Sequence, residues 1–157
     1  MKRCLALFLS LLFVFTACKK HNSTSPVPEI TFETMTPDSI KQGASEDTVY
    51  IKFHLADGDA DLGNRDPAST DYDIYIKDNR TDSFVGYFFP EIAQNVENAA
   101  NGITGTCTFK LLGALIYCRQ DTLHLLNGDT THFELYIKDR AGNVSNHITT
   151  PDLHILP

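Results

Sequence analysis

Three carboxylates recur at every second position in Asp57-Gly58-Asp59-Ala60-Asp61-Leu62-Gly63. Carboxylates held that close repel one another, and a hard, oxygen-seeking cation such as calcium relieves the repulsion. The spacing puts Asp57, Asp59 and Asp61 at ligand positions one, three and five of a twelve-residue calcium loop. It departs from that loop at position seven, where glycine stands one place late, and at position twelve, where Ala68 replaces a bidentate glutamate. The expected ligands are therefore Asp57, Asp59, Asp61 and Asp66, with Asp71 or Asp73 as alternatives for the last, and the ion's expected role is structural. The competing reading is a solvated Asp/Gly turn, in which these residues serve backbone geometry alone.

Other chemistry is thinner. The chain contains no His-Glu-x-x-His, Gly-x-Ser-x-Gly, phosphate loop or Cys-x-x-Cys. His54, His124, His132, His147 and His154 are scattered, several at the outward parity of strands, where solvated side chains are the ordinary explanation. A carboxylate pair suited to glycoside hydrolysis is defined in space, and the many acids here single out no two. The expectation is a protein without catalytic machinery.

The elements that must position these residues follow a period of two. Val49, Ile51, Phe53 and Leu55 alternate with Thr48, Tyr50, Lys52 and His54, the clearest half-buried strand of the chain. Ile30 and Phe32, then Ile74 and Ile76, then Cys107, Phe109 and Leu111, then Phe133, Leu135 and Ile137 repeat the pattern. Residues 83–89 add an aromatic strand, residues 114–118 and 122–126 read as shorter apolar segments, and residues 144–149 and 153–156 close the series. Clusters such as Asn127-Gly128-Asp129 and Ala141-Gly142-Asn143 punctuate the runs as turns. Many short strands at such spacing predict an all-β, antiparallel β-sandwich. Only residues 91–100 have helix-like composition, inside a long connection.

The beginning of the chain is organised differently. Lys2 and Arg3 precede an apolar run over residues 5–15 interrupted only by Ser10, and the small residues Thr16 and Ala17 follow, which is the order of a secretory signal peptide. The run is shorter than the ~20 residues a membrane span needs. Phe15-Thr16-Ala17-Cys18 resembles the lipobox of bacterial lipoproteins, with Phe15 where leucine is usual. The resemblance implies that the cysteine thiol receives a diacylglycerol, that the peptide is cut before Cys18, and that the new amino terminus is acylated. Two or three acyl chains on one residue satisfy the need for more than one lipid signal in stable anchoring. Lys19, in the position where aspartate signals retention in the Gram-negative sorting scheme, favours the outer membrane by analogy. The periplasmic and surface faces both fit. Residues 18–28 hold the lipidated cysteine and a polar tether with two prolines, reaching about 17–20 Å if flexible, and residues 29–157 form the domain.

Cleavage removes two basic residues and leaves 11 Lys and Arg against 20 Asp and Glu, a net charge of −9. Such a chain has little with which to neutralise phosphates, so nucleic acid is not an expected partner. Outside the cytoplasm the two remaining cysteines, Cys107 and Cys118, have two readings. A hairpin turning at Leu112-Gly113 would set them opposite each other, and a bridge there would stabilise by about 3 kcal/mol; otherwise they are two buried thiols. The disulfide is the expectation carried forward.

Finally, Tyr136-Ile137-Lys138-Asp139-Arg140-Ala141-Gly142-Asn143-Val144-Ser145-Asn146 resembles the last hairpin of bacterial immunoglobulin-like domains, where a strand ends in an Asp-x-Ala-Gly-Asn turn. Together with residues 55–63 it is similar to uncharacterised immunoglobulin-like lipoproteins of Bacteroidetes, over most of residues 29–157. The resemblance implies a sandwich fold more than a task. Three function classes follow: a non-catalytic binding or structural module on the envelope, an accessory glycan-binding lipoprotein of a polysaccharide-uptake system, and an envelope hydrolase. The glycan reading would rest on Tyr50, Tyr75, Tyr87 and Tyr136, because the chain has no tryptophan to stack on sugars.

Overall fold

The computed structural model describes residues 25–63, 71–89 and 102–157. The signal segment, Cys18, most of the tether, Asp66 and the helix-like residues 91–100 lie outside them. The described chain is all-β with very little helix. In order it forms β1 (Glu29–Thr36), β2 (Ser39–Lys41), β3 (Thr48–Asp57), β4 (Ile74–Asp78), β5 (Val85–Tyr87) and β6 (Ile103–Leu112). A 3₁₀ turn (Gly113–Leu115) and the short helix α1 (Thr122–Asn127) follow, then β7 (Asp129–Thr131), β8 (Phe133–Ile137), β9 (Ile148–Thr149) and β10 (Leu153–Leu156). Three sheets result, with strand orders β1-β3-β6, β2-β10-β7 and β5-β4-β8-β9. Pairing is antiparallel except where β10 runs parallel to β2.

The period-two pattern explains the core directly, because successive side chains of a strand point to opposite faces. In β3, Val49, Ile51, Phe53 and Leu55 are buried while Tyr50, Lys52 and His54 are exposed. β8 contributes Phe133, Leu135 and Ile137, β4 contributes Ile74 and Ile76, and β6 contributes Phe109 and Leu111, all to one apolar cluster that Ile30, Ile40, Leu153 and Ile155 also join. Burying each such side chain is worth about 1.5–3 kcal/mol relative to leaving it in water. Asn146 joins the first sheet to the segment before β9: its side chain accepts from Ile30 N at 2.9 Å and donates to Ile30 O at 2.8 Å.

Two expectations are corrected. Residues 122–126 are not extended: Asp121 caps them by accepting from His124 N at 3.0 Å, and α1 forms with Leu123 and Leu126 left exposed. The hairpin that would pair Cys107 with Cys118 does not form either. β6 keeps its register with β3 to the end, Leu112 opposite Thr48, and Gly113 N then donates to Asp47 O, so the chain turns away and does not fold back on β6. Both cysteines are free, and Cys118 is buried with its thiol against the Ile155 carbonyl at 3.7 Å. Among the described residues no helix is long and apolar enough to cross a membrane.

Candidate metal centre

The inward parity of two core strands runs on past their last aliphatic residue into a carboxylate. In β3 the series Val49, Ile51, Phe53, Leu55 ends on Asp57, which is fully buried; after β8 the series Phe133, Leu135, Ile137 ends on Asp139, 3% exposed. The two acids meet at one end of the molecule. Carboxylate oxygens of Asp57, Asp59, Asp61 and Asp139 come within 4.8 Å of one another.

Each loop is held by one set of carboxylate bonds. Asp57 Oδ2 accepts from Asp61 N at 3.0 Å, closing its own loop, and Asp61 Oδ2 accepts from Ala141 N at 3.0 Å, tying that loop to the turn after β8. Asp61 O accepts from Arg140 N at 3.2 Å in support. Asp139 accepts from Asn143 N at 2.7 Å and from Asn143 Nδ2 at 2.8 Å, and Gly142 takes a φ of +90° to close the turn. Within the acidic loop Ala60 adopts a φ of +56°, rare for a residue with a Cβ. Gly102 packs over the same loop, and a Cβ there would stand 2.3 Å from Asp57 O.

Beyond these bonds, Asp57 Oδ1 and Asp61 Oδ1 are buried with no hydrogen-bond partner. Burial, with repulsion from Asp59 and Asp61 behind it, pushes the Asp57 carboxyl up to about 7. Burial first, then Asp139 and Asp59, also raises Asp61. The donor atoms gathered here are all carboxylate oxygens, the set that suits a hard cation.

The structure brings together three of the four expected ligands, and the fourth, Asp66, lies outside the described residues. The alternatives are engaged elsewhere: Asp73 accepts from Phe89 N at 2.9 Å, and Asp71 pairs with Lys138. Asp139 is the ligand candidate that reading the sequence missed. Its signal was present, since it sits at an inward strand parity, but its proximity to Asp57 depends on how strands of two different sheets end side by side.

Elsewhere several titratable groups pair with one another. Asp129, nearly inaccessible, accepts from Arg80 Nη1, from Arg119 Nη2 and from the amides of Arg119 and Thr130, each at 2.8 Å. The Arg119 bonds above all hold its carboxyl far below the usual range. Arg80 also forks onto Asp78 at 2.6 and 2.9 Å. His124, His132 and His147 sit beside Asp121, Asp152 and Glu134, and His54 beside Thr104. Of the four tyrosines singled out for sugar stacking, Tyr75 and Tyr136 spend their faces within the sheet: they stack at 4.8 Å, and His147 stacks on Tyr136 at 4.7 Å. Tyr87 meets Phe109 edge-on at 4.9 Å, and Tyr50 is exposed. Tyr75 lies on β4 and His147 immediately precedes β9, so in the order β4-β8-β9 Tyr136 has a ring on either side.

Comparison with known proteins finds no matching family model, no matching curated protein and no matching solved structure.

Proposed function

We propose that this chain is a cell-envelope lipoprotein of the outer membrane, held by lipid on Cys18, whose domain is an immunoglobulin-like β-sandwich acting as a non-catalytic binding or structural module. One observation carries the reading: the way the chain enters the domain. Pro28 is buried, Gly58 N donates to Ser25 O at 2.8 Å, and Asn143 Nδ2 donates to Pro26 O at 3.3 Å. The folded part is thus fastened to residues only seven and eight positions beyond Cys18, a connection that spans at most about 25–29 Å when fully extended. Such a domain sits close to the membrane surface. The sandwich is supported by an apolar cluster shared by strands of all three sheets, and by the positive-φ turn after β8. The non-catalytic role is supported by the pairing of histidines and acids into surface bridges and a buried ion network.

The experiment is a broad hydrolase screen run beside an envelope-glycan array on the purified protein. The proposal expects no turnover. Glycan binding that the exposed Tyr50→Ala substitution abolishes is not expected either; binding lost in that variant would favour the uptake-accessory reading, and turnover lost on a point substitution would favour a hydrolase.

A further inference from the structure

The acidic pocket carries more than its composition. Four carboxylates alone would be an ordinary solvated cluster, but here the loop contacts use up some oxygens and leave two others, Asp57 Oδ1 and Asp61 Oδ1, buried and unsatisfied. Asp57 as a residue is fully buried. A buried ionised oxygen without a donor is costly, and its natural partner in an all-oxygen pocket is a cation. We infer that Asp57, Asp59, Asp61 and Asp139 bind a calcium ion that staples the acidic loop after β3 to the Asp-Arg-Ala-Gly-Asn turn after β8.

The donor set selects the ion. Four carboxylates within 4.8 Å of one another, on two loops, form an all-oxygen site of the kind calcium fills with six to eight ligands in flexible geometry, whereas magnesium demands near-ideal octahedral geometry and keeps several of its waters. Asp59 is exposed, which leaves one side open for water to complete the shell. The protein supplies four carboxylates, fewer than the six to eight oxygens calcium takes, so water and carbonyl oxygens make up the remainder. The staple has a reach beyond the pocket. Gly58 holds the Ser25 carbonyl and Asn143 holds the Pro26 carbonyl, so the ion fixes the two loops on which the first residues of the domain are seated. This inference does not depend on the anchoring of the chain.

The test is calorimetric titration of the EGTA-treated, desalted full chain with calcium chloride and with magnesium chloride, together with thermal unfolding in each ion and in EGTA. The expected result is one calcium per chain, bound at least tenfold more tightly than magnesium. The midpoint should rise by about 8–12 °C at a calcium concentration one hundred times the dissociation constant. Asp59→Asn, at an exposed position that leaves folding intact, should weaken binding tenfold or more and shrink the shift, and Asp139→Asn should do the same. No heat and an unmoved midpoint in the wild type would overturn the site. A shift undiminished in Asp59→Asn and Asp139→Asn would place the ion elsewhere, and equal binding of magnesium would overturn the choice of ion.

Discussion

Replacing Asp129 by asparagine keeps the shape of a buried side chain and removes its charge. In the wild type that carboxylate, with 1% of its side chain exposed, receives two arginines and two backbone amides. Removing one partner of a buried ion pair costs about 3–5 kcal/mol when the other charge is stranded. Here the stranding is partial: Arg80 keeps its fork onto Asp78, and Arg119 is half exposed and turns to water. Asparagine also retains one acceptor oxygen for the amides, and the loss to expect is about 2–3 kcal/mol, measured as a lowered urea midpoint at unchanged slope. The pH dependence gives an independent reading. Because the folded state holds Asp129 far below the usual carboxylate range, its contribution is fully present above the unfolded value of about 4 and is lost as pH falls toward the depressed folded value. Wild-type stability should therefore fall between about pH 5 and pH 2, and the Asp129→Asn curve should be flatter over that window. A change under about 0.5 kcal/mol at pH 7, with parallel pH curves, would refute the view that this network holds the β7 end of the domain.

Three further outcomes follow from the packing. Phe53→Ala, which empties a fully buried site at the centre of β3, should cost about 3–5 kcal/mol in chemical denaturation; a loss below 1 kcal/mol would mean that the site collapses freely. Gly102→Ala forces a Cβ to within 2.3 Å of Asp57 O at a φ of +72°, and should lower stability by more than about 2 kcal/mol, against a neutral result if the two segments can separate. Burial pushes the Cys107 thiol up to about 11 and also raises Cys118. Both should resist alkylation in the native protein and both should react in denaturant without reductant; a pair that reacts only after reduction would restore the disulfide.

What could be read from the sequence was whatever a strand's alternation records. The alternation of β3 and β8 marks their buried faces residue by residue, because burial on one face is a local property of a pleated strand. The helix over residues 122–127 escaped because its leucines are exposed and give no amphipathic stripe, while the Asp121 cap that starts it reads equally well as a turn. The thiols were misassigned because a hairpin at Leu112-Gly113 is a statement about turn chemistry, and the Gly113 amide instead bonds Asp47 across the sheet. The candidate site was half legible. Three aspartates were given by spacing within one loop, but Asp139 arrives from a strand 82 positions later in the chain than Asp57. Only the inward parity of Asp139 hinted that it does more than cap its own turn.

The anchoring of the domain is tested most directly by the intact mass of the protein extracted from its native membranes. The expected product is a chain that begins at Cys18 and carries two or three acyl chains, and a Cys18→Ser variant should lack this added mass. An unacylated chain, or one that begins at any other residue, would contradict the anchoring.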